Sequence, residues 1–287
     1  MENEFVSPNG KNSQTAPAIR VTKRPSNLWL IIVAALFIIF PFLAWYFTWF
    51  GRNLSDQDIA TYLADEKNPR HIQHALLQVE QRMEQRDPGV KSFYPQILAL
   101  TKSPTAEVRK TAAWVMGQDN QYPEFHRALL DLLQDSEPLV RRNAALQLIR
   151  FGDASGRSEL RSMLQSFEVK APFAGTIVSL LPAGSGIRAG ALLARIRDTS
   201  NNVQEFRSPV DGKVSTPTVA REGEQVAGGQ TLVWLIPDRE TILEALRALT
   251  YVGTKEDLPL IESCSQVDAS SATANQAAQT AKAIRSR

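Results

Sequence analysis

Val108-Arg109-Lys110-Thr111-Ala112-Ala113 and Val140-Arg141-Arg142-Asn143-Ala144-Ala145 are one six-residue phrase written twice, 32 residues apart. On a helix, the valine and the first alanine share a face, and the second alanine lies beside it. Small side chains there let another helix approach closely, and the larger Met116 and Leu148, also 32 apart, fill the groove between layers. Ile72, Ala75 and Leu76 occupy a similar frame upstream. Outward from this phrase, helical spacing runs over residues 54–166 and predicts helices at Asp56–Ala64, Pro69–Gln85, Phe93–Thr101, Thr105–Met116, Pro123–Gln134, Pro138–Arg150 and Gly156–Gln165. Pro69, Pro123 and Pro138 stand at helix starts, where a missing N–H costs nothing. Phe151-Gly152-Asp153 reads as a helix stop followed by a turn.

The pattern V-R-R-x-A-A-x-x-L followed by G-D resembles HEAT repeats of the short bacterial type, the kind also found in phycobilisome-lyase-like proteins. The resemblance implies an α-solenoid that presents a surface to another protein. The basic residues Arg109, Lys110, Arg141 and Arg142 are expected to point outward, which makes them the candidate partner-binding residues. Some relatives of this kind attach bilins to antenna proteins, but no other feature of the sequence supports that chemistry.

At Phe167 the pattern changes to short apolar runs with Gly, Pro and Thr, which predicts strands and turns over 167–237. This segment is itself duplicated. Ala171-Pro172-Phe173-Ala174-Gly175-Thr176-Ile177 matches Ser208-Pro209-Val210-Asp211-Gly212-Lys213-Val214 at an offset of 37. Gly184, Ile187, Gly190, Leu193 and Ile196 match Gly223, Val226, Gly229, Leu232 and Leu235 at an offset of 39. The pattern resembles the biotinyl/lipoyl-carrier fold and the barrel-sandwich domain of HlyD-type periplasmic adaptor proteins. Carriers place an acylated lysine at the junction of the two halves. Here that junction, Asp198, Thr199, Ser200, Asn201 and Asn202, has none, so neither biotin nor lipoate is expected. Lys213 does not match the carrier position. Residues 238–264 return to helical spacing and are expected to complete the solenoid, with the β segment inserted between two helices of one repeat. Residues 265–287 read as a disordered, low-complexity tail.

Residues 1–27 read as a disordered arm. Leu28 to Phe50 is 23 residues without a charge, with Trp29 near one end and Trp45, Tyr46 and Trp49 near the other. This predicts a single transmembrane helix. The basic residues before it predict a cytoplasmic N-terminus, and hence a single-pass protein of the bacterial inner membrane with periplasmic C-terminal domains. The fold class expected is multidomain α+β: a transmembrane helix, a solenoid of HEAT-like pairs and an inserted all-β barrel-sandwich.

Composition narrows the function classes. With 32 basic and 30 acidic residues, the net charge of +2 gives no footprint for nucleic acid. One cysteine and three histidines leave little for a metal site, and His71 and His74 lack a third ligand in frame. No phosphate loop, dinucleotide fingerprint or nucleophile elbow is present. The carboxylate pairs Asp65/Glu66 and Glu256/Asp257 are read as helix-end residues explained by solvation or capping. The expectation is a non-catalytic, membrane-anchored scaffold without cofactor or small-molecule substrate. It would be an accessory or assembly subunit of an integral membrane protein complex that contacts the bilayer through Leu28 to Phe50. The alternative is a reduced periplasmic adaptor of a secretion or efflux system.

Overall fold

The computed structural model describes residues 28–45, 53–215, 220–267 and 271–287. The chain divides into two units, 1–52 and 53–287. The expected arm over 1–27 and the last five residues of the expected span lie outside the described residues.

In the first unit, helix α1 (Leu28–Trp45) has 18 residues with Pro41 inside. Among the described residues no helix is long and apolar enough to cross a membrane. The expected transmembrane helix over Leu28 to Phe50, and the inner-membrane, single-pass localisation derived from it, are thereby corrected.

In the second unit, α2 (Asp56–Leu63) and α3 (Pro69–Glu84) form the first helix pair. Then come α4 (Tyr94–Leu100) with α5 (Ala106–Met116), and α6 (Pro123–Leu132) with α7 (Pro138–Leu148). These bounds fall within a few residues of the sequence expectation. Ser55 and Asp58 form a capping box on α2, and proline opens α3, α6 and α7. Gly152 adopts φ 71°, the left-handed geometry that lets Asp153 N–H return to Leu148 O and ends the α7 region.

The paired alanines do what their position predicts. Ala112, Ala113, Ala144 and Ala145 are all fully buried. Ala144 belongs to the apolar core running from Leu54 to Leu148, whereas its neighbour Ala145 belongs to the next core. Helix α7 is thus sandwiched between two layers.

That next core joins α8 (Arg157–Ser162) to α9 (Arg239–Val252), although 76 residues separate them in the chain. Leu160, Met163 and Leu164 pack with Ile242, Ala245, Leu246 and Leu249. The intervening residues form strands β1 (Phe167–Lys170), β2 (Gly175–Leu180), β3 (Gly186–Ile187), β4 (Leu192–Asp198), β5 (Val203–Arg207), β6 (Gly212–Val214), β7 (Gln225–Val226) and β8 (Thr231–Ile236). They make two four-stranded antiparallel sheets of order β1-β8-β6-β3 and β5-β4-β2-β7 around one shared apolar core. Exchanging the first four strands with the last four turns one order into the other, so the sequence duplication is a two-fold in the fold. Gly184 and Gly223 have the same φ of 82°, and Gly190 and Gly229 have 77° and 83°. These are turn positions that favour glycine.

The structure corrects the C-terminal tail. After α10 (Leu258–Val267), helix α11 (Ser271–Arg285) packs on α9 and α10, and Ala277, Ala281 and Ile284 are buried. Thr280 Oγ1 donates to Leu246 O at 2.9 Å, and Arg287 donates to Thr250 O and Tyr251 O at the end of α9. Helix α11 is the second helix of a fifth pair, not a mobile tail.

The two-fold makes a testable prediction. A Cβ at Gly175 would lie 2.3 Å from Arg197 O, and one at Gly212 would lie 2.7 Å from Ile236 O, at equivalent places in the two halves. Gly175→Ala and Gly212→Ala should each lower stability by about 1–3 kcal/mol, measured by urea unfolding. Tolerance of one with loss at the other would contradict equivalent packing.

Candidate functional site

The four basic residues singled out in the sequence do not form one exposed patch. Arg109 grips Asp135 with Nε and Nη2 at 2.7 and 2.8 Å, and its Nη1 donates to Ser103 O at 2.8 Å. Arg141, 32 residues on, repeats the gesture one layer later. Its Nη1 donates to Asp135 O at 2.7 Å and its Nε to Glu159 Oε2 at 3.2 Å. Asp135 therefore takes Arg109 on its carboxylate and Arg141 on its carbonyl. The result is an arginine ladder joining the α4/α5, α6/α7 and α8/α9 pairs. Burial raises the Asp135 carboxyl, but the Arg109 hydrogen bond and further contacts outweigh it and hold the group below its ordinary range.

Arg142 is buried, and its Nε has no hydrogen-bond partner. It lies 3.8 Å from Glu159 Oε1, with its guanidinium carbon 5.7 Å from the centre of the Phe167 ring where the chain enters β1. Burial pulls its pKa below the ordinary arginine value. Lys110 alone stays on the outer surface, paired with Glu107 at 2.6 Å. The outward orientation expected of Arg109, Arg141 and Arg142 is thus corrected. Their carboxylate partners are 17 to 26 residues away in sequence and become neighbours only when layers stack.

A second contact recurs within the second and third layers. Tyr94 Oη donates to Asp119 Oδ2 at 2.8 Å, and His126 Nε2 meets Asp153 Oδ2 at 2.7 Å. In each case a side chain of the first helix ties down an aspartate beyond the second. The fourth layer replaces this with its strongest form. Arg157 reaches Asp257 through Nε at 2.8 Å and Nη2 at 3.1 Å, Arg161 joins it, and Asp257 is fully buried. Asp257 also accepts Thr254 N–H at 2.7 Å. The sequence reading treated this carboxylate as a helix-end residue, with no signal for partners a hundred positions away.

With the arginines used internally, the outer surface of the second helices offers a different feature. Trp114 on α5 is 43% exposed and donates from Nε1 to Glu80 Oε1 on α3. Leu77, one turn before Glu80 and so on the same side of α3, is 55% exposed. Two large apolar side chains thus stand in solvent on adjacent second helices.

The remaining candidate positions carry little chemistry. Asp198 Oδ1 accepts Ser200 N–H and Asn202 N–H, both at 2.9 Å, and Asn201 adopts φ 65°, so the β4–β5 junction is a tight turn. Cys264 is buried, burial pushes its thiol up to about 11, and its Sγ donates to Leu260 O. Such a thiol is inert. His71 stacks on Tyr62 and meets Asp65 at 2.8 Å. Among the described residues no group of three or more His, Cys, Asp or Glu is placed to hold a metal ion. An open groove of about 500 Å³ runs where β3 and β6 meet the start of α9, with Arg188, Lys213, Asp238 and Arg239 among its lining residues.

The family model described as HEAT repeats matches residues 94–171, from α4 to just past β1. None of the curated proteins matches the chain. Among the solved structures that match is a single-chain, multi-domain long-chain acyl-CoA carboxylase, 17% identical, with a TM-score of 0.24. The match covers 45% of this chain and 15% of that one. At that score it carries no argument about fold or function. The HEAT-repeat match supports a protein–protein interaction role for the helical region.

The Asp257 clasp predicts a pH dependence. Burial raises its pKa, but the Arg157, Thr254 and Arg161 hydrogen bonds outweigh this and set it below the ordinary 3.8. A carboxyl with a lowered folded pKa contributes stability fully above its unfolded value and loses it as pH falls through the folded one. Urea unfolding should therefore show stability falling in acid. Asp257→Asn, which removes the buried negative charge that two guanidiniums face, should cost on the order of 3 kcal/mol at neutral pH and flatten the acid limb. An unchanged acid limb would contradict this role.

Proposed function

We propose that this chain is a non-catalytic scaffold, an accessory or assembly subunit that docks a partner protein on the helical stack within a larger complex. The exposure of Trp114 beside Leu77 carries the reading, since large aromatics in solvent on a regular helical array are the anchors that protein interfaces favour. The arginine ladder adds to it by stiffening the array, which lowers the entropy cost of binding. The duplicated sheets are part of the same reading. Their paired glycines and interchangeable strand orders support reading them as a biotinyl/lipoyl-like barrel-sandwich, and the lysine-free β4–β5 turn supports a second docking surface in preference to a carrier.

The test is recovery of partners from the native host with wild-type and Trp114→Ala chains, read by native gel and mass spectrometry. A stoichiometric partner whose affinity drops on the order of 30-fold in the variant is expected. A partner held equally by both chains would move the interface elsewhere. An unaccompanied wild-type chain would overturn the scaffold reading.

A further inference from the structure

Strand β5 ends its sheet, and among the described residues no strand lies beyond it. Its ladder with β4 pairs Arg197 with Val203, Ile196 with Gln204 and Arg195 with Glu205. Asp198 N–H donates to Asn202 O at 2.9 Å across the turn, which fixes the phase of the ladder. Antiparallel hydrogen bonds alternate along a strand. The ladder shifts register on β4 between Leu192 and Ala194, but Ser208 N–H donates to Ala191 O at 2.8 Å beyond the shift, so the backbone groups of Val203, Glu205 and Arg207 face away from β4 and their side chains share one face of the sheet. On that face Glu205 sits between Arg195, at 3.1 Å, and Arg207, at 2.8 Å.

We propose that β5 is a homodimerisation edge. Two copies of this chain join their β5 strands antiparallel about a two-fold axis at Phe206, forming one continuous eight-stranded sheet. Glu205 of each copy then stands opposite Arg207 of the other.

Register selects this arrangement. Outward backbone groups must meet outward groups, so Val203, Glu205 and Arg207 set which registers are open, and a one-residue slip is forbidden because it turns the side chains over; in the register about Phe206 only Glu205 and Arg207 pair within the strands, and Val203 lies opposite Pro209 beyond β5. Pairing about Glu205 sets two carboxylates directly opposite, which is unfavourable. Pairing about Gln204 sets Val203 against Glu205, an apolar group against a charge. Pairing about Phe206 gives two Glu–Arg cross-strand pairs, and the contact is self-complementary, as a two-fold interface requires. Charged side chains on an edge discourage indiscriminate strand addition; here the same charges leave one register open. The edge alone is smaller than the ~1,200 Å² typical of stable interfaces, so the dimer is weak and forms at concentrations on the order of tens of micromolar.

The test uses the full chain in analytical ultracentrifugation and native mass spectrometry at up to about 100 µM, suited to a weak interface. Glu205 and Arg207 have side chains 43% and 59% exposed, so substitution leaves the core untouched. The wild type should dimerise, and Glu205→Arg and Arg207→Glu should each be monomeric because like charges meet twice. The double variant should dimerise again. Mixing the two single variants should give a one-to-one heterodimer, because two arginines then face two glutamates. A monomeric wild type, a dimer that survives either single substitution, or no rescue in the double variant and the mixture would each overturn the proposal.

Discussion

A single buried carboxylate joins the two parts of the helical stack that flank the β insertion. Asp257 takes two guanidiniums from α8, a helix of six residues that is too short to persist alone. The clasp adds a polar lock to the apolar packing of Leu160, Met163 and Leu164 on α9, at the point where the chain leaves for the sheets. With it, residue 157 is bound to residue 257, and the stack continues across the insertion as though the β segment were absent. The cost of burying Asp257 is offset because each of its oxygens is hydrogen-bonded, the condition under which a buried ion pair can hold.

The same logic, in weaker form, builds the rest. Tyr94–Asp119 and His126–Asp153 close earlier layers, while Arg109, Asp135, Arg141 and Glu159 link one layer to the next. Polar contacts fix spacing and register, and the alanine pairs let apolar packing supply most of the stabilisation. Internal use of these arginines also changes where a partner is sought, from basic charge to the exposed aromatic on α5.

The sequence made some of this plain and hid the rest for physical reasons. The alanine phrases and the glycine offsets announce two kinds of repeat because small residues and turn glycines answer to local geometry. Helix α11 was hidden because its core contacts come from Ala277, Ala281 and Ile284 in a run of Ala, Thr and Gln that reads as low complexity. Ala281 buries little area, and only its close approach to α9 gives it weight. The ion pairs were hidden because a charge declares its sign in sequence but not its partner. The apolar stretch after residue 27 showed its hydrophobicity, but among the described residues no helix is long and apolar enough to cross a membrane.

Native-state hydrogen exchange over the C-terminal half tests the continuity of the stack most directly. If the fourth and fifth layers are one cooperative unit, the amides of α8, α9 and α11 should open together with a shared free energy. Exchange of residues 271–285 at the rate of a free peptide while α9 stays protected would contradict it.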